Sequence, residues 1–404
     1  MGPKFLFQRR IKAMKKSLLV TVISGIIVGL GCLGISLAMA GDPGVTKTTI
    51  KIGSNMILTG SAAYWGQGSD KGARAYYTYI NEMGGIHGRK IEFINSDSQF
   101  KPAQAVAAIK KLIEKDEIFI LMGMQSSVCI LAAEKVFGEA GVPLIAPITM
   151  HRQLVDPPRK YLFVVFTEYW DQAQYMVDYM AKEARWKNLK FAVIYQDDDF
   201  GKEGLAGLED GVKKYPSMQV VAKESFAPGA KDFSSQVLKC KQSGAQGLFL
   251  SCVTAQAAMM IKEAEKIGWK PLFMVHSATA DDKLIELAGP ATEGALGVTN
   301  VVIPSSEKDS PPVKKATEII HKYYPDQAID VPTIDGIAMA MITVEGLKKA
   351  GPDLTRVKLI EALENMKNFE TGLVPPVTFG PNNRQGCRGA LLYQIQGGKF
   401  VRLK

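Results

Sequence analysis

Cysteine is scarce in this chain, with five in 404 residues, and no pair has C-x-x-C spacing. That spacing is what a zinc knuckle or a redox dithiol requires, so both are excluded. Histidine is as thin: His87, His151, His276 and His321 are scattered and suggest no metal site. The chain also lacks a G-x-S-x-G elbow, a G-x-x-x-x-G-K-[ST] loop and an H-E-x-x-H helix, which leaves the common hydrolase, nucleotide and zinc-protease chemistries without a carrier. S-x-x-K occurs at Ser98/Lys101 and Ser305/Lys308, but without its companion motifs it reads as chance. Asp197-Asp198-Asp199 lacks alternating ligands and a following glutamate, so it reads as a helix cap rather than a cation loop. Gly84-Gly85-Ile86-His87-Gly88 follows a helical pattern and precedes a strand, the context of a left-handed cap and turn rather than a dinucleotide loop. No cofactor and no metal site is expected, and the chain does not read as an enzyme.

Acidic residues are missing altogether from the first 40 positions, which hold Lys4, Arg9, Arg10, Lys12, Lys15 and Lys16. Without those six bases, 43 basic residues face 40 acidic ones, so the net charge falls from +9 to +3. No basic stripe survives, and nucleic-acid binding is not expected. The same segment has a basic start, an apolar run over 18–37 and small residues at Ala38-Met39-Ala40. This is the layout of an export signal, with cleavage after Ala40 and a mature protein in the periplasm. Met14-Lys15-Lys16 offers a second start for the same signal. Cys129, Cys240, Cys252 and Cys387 remain after cleavage and read as small buried hydrophobes, with one bridge open to them in an oxidising compartment.

What is present is the composition of a globular protein: 47% hydrophobic and 22% charged residues. The length is too great for one compact core and natural for two lobes. Short β-branched runs alternate with amphipathic segments. Strands are predicted over 50–56, 90–94, 118–122 and 142–146, with helices over 68–81, 102–115 and 127–139 between them. The pattern then restarts, with strands over 191–195, 219–223, 247–251 and 272–275 and helices over 201–214, 232–242, 255–267 and 282–287. Continuous apolar strands joined by helices indicate parallel sheets covered on both faces. The fold class is therefore α/β, with two doubly wound Rossmann-like lobes. A polar, proline-bearing connection at 305–312 leads to helices over 313–323, 334–350 and 355–366, and the chain ends in strand-like 374–379 and 390–402. A return to helices after two lobes implies a crossing back between them, and hence a hinge.

One constellation points to a ligand. The strand over 118–122 ends at Gly123, and Met124-Gln125-Ser126-Ser127 leads into a helix. A hydroxyl at a helix N-terminus, at the carboxyl end of a parallel strand, is a favoured anion site. The plainer reading is that Ser126 or Ser127 only caps its own helix. Other strand-end turns hold Trp65, Ile148-Thr149-Met150, Phe200, Cys252-Val253-Thr254 and His276-Ser277. Apolar and aromatic groups around one such helix start would make a pocket for a small molecule with an acidic end.

These residues fall into a familiar pattern. Ile52-Gly53, Leu58-Thr59-Gly60, Trp65-Gly66 and Gly72-Ala73 are followed by Ile80-Asn81-Glu82-Met83-Gly84-Gly85-Ile86-His87-Gly88-Arg89-Lys90-Ile91. Phe200-Gly201 with Gly204, Lys262-Glu263-Ala264 before Gly268, and Gly398-Lys399-Phe400-Val401 continue the match. Over nearly all of its mature length the chain resembles the type I periplasmic solute-binding proteins, specifically the branched-chain amino acid ABC-transporter family (leucine/isoleucine/valine-binding-protein-like). The resemblance implies two lobes joined by a three-segment hinge and closing on a ligand: 45–168 with 301–375, and 169–300 with 376–404. It also implies a monomer that delivers a small-molecule ligand to ABC transporter permease subunits in the inner membrane. By position, Trp65, Ser126, Ser127, Ile148, Thr149, Met150, Phe200, Val253 and Ser277 would line the ligand site.

Two departures bear on the ligand. Amino-acid binders of this family often carry threonine where this chain has Met150, and an acid where it has Ser277. That acid pairs with the α-ammonium group, and a buried ammonium without a partner is costly. Asp281 and Asp282 are near but read as caps of the next helix. The expectation is a hydrophobic or aromatic carboxylate ahead of a zwitterionic amino acid. A second class, a ligand-binding sensor subunit for a signalling receptor or an amide-type regulator, uses the same fold.

Overall fold

The computed structural model describes residues 41–403 except residue 61, so the expected leader lies outside the described residues. Two sheets organise the chain. The first consists of β1 (Thr49–Met56), β2 (Lys90–Asp97), β3 (Ile120–Met122), β4 (Leu144–Ile145) and β5 (Leu162–Phe163). All of its pairings are parallel, in the order β2-β1-β3-β4-β5. Its connecting helices are α1 (Ala63–Glu82), α2 (Pro102–Glu114) and α3 (Ser127–Glu139). After α4 (Tyr169–Lys182), the second sheet begins with β6 (Lys190–Gln196), α5 (Asp199–Lys213), β7 (Gln219–Phe226), α6 (Ser234–Gln242) and β8 (Gly247–Ser251). It continues through α7 (Thr254–Lys266), β9 (Leu272–Val275), α8 (Asp282–Ala288) and β10 (Leu296–Thr299).

The chain then leaves that sheet for α9 (Pro311–Tyr323), α10 (Val331–Lys349) and α11 (Arg356–Glu364), and returns as β11 (Leu391–Gln396) and β12 (Lys399–Arg402). The completed order is β12-β11-β10-β9-β8-β6-β7, parallel except for the last two strands. The strands are parallel because helices cover both faces, so β8 is buried at all five positions, as its apolar sequence requires. Both sheets reverse direction of growth once, between β1 and β3 and between β6 and β8. These switch points put a crevice at the carboxyl ends of the strands.

The helices after β10 belong with the first sheet. α10 packs along α1, and the approach is close enough that a Cβ on Gly72 would sit 2.1 Å from the Thr333 carbonyl oxygen, and one on Gly336 2.1 Å from that of Ser69. Only glycine permits this contact. α10 is buried on nearly every side, which is why its sequence is apolar almost throughout.

Several expectations need correction. The strand expected over 374–379 is absent; Val377 makes only an isolated bridge to Phe369. Pro375 and Pro376 remove two consecutive donors there, so no ladder can form. Residues 377–386 instead bond to the segment after α11 and to the β5 region: Phe379 N–H to the Met366 carbonyl, Gly386 N–H to that of Val164, and Arg384 Nε to that of Arg159. Three elements were not anticipated: β5, α4 and β10. In α4 the buried face includes Gln172 and Gln174, which break the apolar period. Boundary shifts elsewhere are small, the largest being α1, which starts at Ala63 rather than 68. The glycine turn is as expected, with Gly84 at φ 102° and Gly85 at φ 76°. Cys129, Cys240, Cys252 and Cys387 are all free and buried. Among the described residues no helix is long and apolar enough to cross a membrane.

Candidate functional site

The crevice between the two sheets contains a cavity with about 610 Å³ of empty space, part of it open to solvent. Trp65, Ser126, Ser127, Ile148, Thr149, Met150, Phe200, Val253 and Ser277 all line it. The structure therefore brings every sequence-selected residue to one place, although they span more than 200 positions of chain.

On the first-sheet side, the turn between β3 and α3 forms the wall. It is held on both flanks: Gln125 N–H bonds the Asn55 carbonyl at 3.1 Å, and Ile148 N–H bonds that of Met124 at 2.7 Å. The Gln125 side chain reaches back to accept from Ile57 N–H at 2.9 Å. Ser126 stands at φ 84°, and neither it nor Ser127 caps α3. The Ser126 hydroxyl is buried with no partner. The Ser127 hydroxyl faces Thr149 Oγ1 at 2.5 Å, across the gap between the β3 and β4 turns. The plainer reading of these serines as self-caps is thus not what the fold does. The first-turn N–H groups of α3 have no intrahelical carbonyl to satisfy them, and Ser126 and Ser127 at that start line the cavity.

The second-sheet side is aromatic. Phe200, in the first turn of α5, meets the Tyr169 ring edge-on at 5.0 Å. Both rings pack on His276, at 5.3 and 4.8 Å. That imidazole is fully buried and burial drives its pKa down to about 3, so it is neutral. Its Nδ1 accepts from Ala278 N–H at 3.3 Å, which leaves the hydrogen on Nε2, 3.3 Å from the Ser251 hydroxyl. His276 is a support behind the wall. Ser277 is fixed through its backbone by the Gln172 side chain at 2.9 Å, and its hydroxyl points at Met150 Sδ, 3.9 Å away.

Sequence reasoning missed Tyr169, Asn300 and Asp335, which also line the cavity. Asn300 is committed, its amide paired with both backbone groups of Thr167. Asp335 is not. Only 1% of it is exposed, neither carboxylate oxygen has a hydrogen-bond partner, and burial raises its pKa to about 8. The nearby Ser69 hydroxyl moderates that rise but donates its hydrogen to the Pro332 carbonyl at 3.1 Å. The available signal was an acid inside an apolar stretch of α10, Ile334-Asp335-Gly336-Ile337.

Asp281 has a further role besides the expected cap. It accepts from Lys283 N–H at 2.7 Å, from the Tyr64 hydroxyl at 2.6 Å and from Val331 N–H at 3.1 Å, so it joins α8 to α1 and α10. A second seam joins Glu203 of α5 to Arg152 N–H at 3.0 Å and to His151 Nε2 at 3.6 Å. Carboxylates of the second half thus bond donors of the first at two places.

The periplasmic binding protein family model matches residues 49–399. The chain belongs to that family. Its members are substrate-binding proteins rather than enzymes, and they bind small-molecule ligands. Leu/Ile/Val-binding protein homolog 3 of Brucella melitensis is 25% identical over 368 residues, covering 91% of this chain and 97% of that one. A fatty acid ABC transporter substrate-binding protein from Thermomonospora curvata is 26% identical, with a TM-score of 0.81 over 90% of this chain and 93% of that one. The same fold, at 22% identity and a TM-score of 0.81, occurs in a branched chain amino acid ABC transporter protein from Thermus thermophilus with bound valine, over 89% and 96% of the two chains. The family and the two-lobed α/β class read from the sequence are both borne out.

Proposed function

We propose that this protein captures a small organic solute, an amino acid or a hydrophobic or aromatic carboxylate, between two closing lobes and delivers it to the permease of an ABC importer. The observation that carries this reading is the uncapped start of α3. Ser126 and Ser127 at that start, with Thr149 paired to Ser127, line a cavity otherwise walled by Trp65, Met150, Phe200 and Val253. A carboxylate there gains charge-assisted hydrogen bonds and a favourable helix dipole, while its apolar remainder meets the aromatic wall. The lobes comprise 45–168 with 301–388 and 169–300 with 389–403, and the seams at Asp281 and Glu203 hold them together. The leader directs the mature chain, beginning at Gly41, to the periplasm.

A thermal-shift screen of amino acids, aliphatic acids, aromatic acids and amides tests the solute reading, because a ligand that binds only the folded state raises the melting temperature. Small-angle scattering with and without the best ligand tests closure. The expected result is a smaller radius of gyration with ligand; an unchanged radius at saturation rejects closure.

A further inference from the structure

The unpartnered side-chain atoms lining the cavity belong to Trp65, Ser126 and Asp335. The Trp65 indole N–H and the Ser126 hydroxyl are both buried and unbonded, and an indole can only donate. The open N–H groups of α3 add to them. Acceptors are mostly taken: the Gln125 amide oxygen holds Ile57 N–H and the Asn300 oxygen holds Thr167 N–H. Asp335 completes the set. No basic side chain lines the cavity among the described residues, so an ionised carboxylate at Asp335 would be a buried charge without compensation. Burial without a cation favours the protonated form, and a protonated carboxyl is one more O–H donor. The burial-raised pKa of about 8 agrees with this.

Position links this donor to the anion end. The Tyr169 phenol, in contact with the Thr149 hydroxyl, is also within electrostatic range of Asp335. Thr149, Tyr169 and Asp335 line the same cavity, Thr149 beside the Ser127 hydroxyl that would take a carboxylate with it. We propose that Asp335 recognises this ligand as a neutral acid, donating a hydrogen bond to an uncharged oxygen beside the ligand's carboxylate, and that the solute class is an apolar 2-oxo acid. This rests on the solute-binding reading and deepens it. An ammonium at the same place would present three N–H groups to a cavity already rich in donors, with one carboxyl to receive them.

Calorimetry at pH 7 with 4-methyl-2-oxopentanoate, 4-methylpentanoate and leucine separates the cases, using the mature protein and its Asp335→Asn and Asp335→Ala variants. The expected preference for the oxo acid over the plain acid is roughly tenfold, the ratio that one neutral hydrogen bond supplies. Asp335→Asn keeps that preference, because its amide donates in the carboxyl's place. Asp335→Ala reduces it to within about twofold without weakening the plain acid. Equal binding of the two acids by the unmodified protein overturns the proposal. So does tightest binding of leucine that Asp335→Asn weakens by roughly 100-fold, the signature of a charged partner. If none of the three binds while the thermal screen finds another solute, the oxo-acid class falls and the solute-binding reading stands; no solute in either experiment rejects both.

Discussion

α3 and α5 each follow a strand that borders the switch point of its sheet, β3 in the first and β6 in the second. Their first turns differ in one respect. At α5, Asp198 accepts from Gly201 N–H at 3.0 Å and from the Gln196 side chain at 2.6 Å, so the helix carries its own anion. At α3 the corresponding Ser126 has no cap bond and its hydroxyl is free. A helix N-terminus that is satisfied internally cannot take a ligand's acid. The difference assigns the two walls different tasks: the first holds the acid and the second supplies aromatic surface through Phe200 and Tyr169.

Exchanging the two starts gives the largest expected effect. Ser126→Asp places a carboxylate where a ligand's acid would sit, and affinity for any carboxylate ligand should fall by roughly 100-fold or more in calorimetry, through like-charge repulsion in a buried site. The fold should be retained, since an aspartate is a good cap. Ser127→Ala is milder. It removes one hydroxyl and leaves the helix N–H groups, so affinity should fall roughly tenfold with little change in melting temperature. Unchanged affinity would show that the Ser127–Thr149 pair is structural only. Asp198→Ala tests the opposite side. Loss of the cap and of the Gln196 partner should destabilise the protein by about 1–3 kcal/mol in denaturant unfolding, with ligand affinity within about twofold.

A further test contrasts the satisfied Asp198 with the unsatisfied Asp335. Burial holds the Asp335 pKa near 8 in the folded protein, against about 3.9 for an unfolded aspartate. Between those values the folded state binds the extra proton, so its contribution to stability is present at low pH and is lost as pH rises through the window. Its surroundings are the Ser69 hydroxyl from α1 and the Tyr169 phenol from α4, with no charged side chain in contact. Asp335→Asn, which has no proton to lose, should flatten the decline of melting temperature from pH 5 to pH 8. A slope identical to that of the unmodified protein would mean that Asp335 is ionised in the fold.

The parts of the fold legible in sequence are those where one local pattern agrees with the final packing. β8, β9 and α3 fall where their residues predict, because an apolar run bounded by turn signals has one way to be buried. α4 was obscured because Gln172 and Gln174 are buried polar residues, and the Gln172 Oε1 accepts from the remote Ser277 N–H. The stretch 377–386 carries no local signal for its partners, Val164 and Met366, which are supplied by the fold. For the cavity, strand-end turns were a sound guide, since a doubly wound sheet exposes those turns at its switch point. Asp335 escaped it by coming from the middle of the return helix α10.

From its residues alone the chain determined that it would form two parallel-sheet lobes, and which turns would face each other between them. Hydrophobic period and turn chemistry are local, and each has few ways to be satisfied. Tertiary structure alone decided which polar groups in the cleft would stay unpaired. Ser127 could have capped its helix, but Thr149 stood close enough to take its hydroxyl. Asp281 could have awaited an ammonium, but Tyr64 and Val331 reached it first. Asp335 was left without a partner because the glycine contacts of α1 and α10 closed the helices over it and brought no cation with them. Whether a polar atom is free depends on what the rest of the chain places within about 3 Å of it, and no local pattern carries that information.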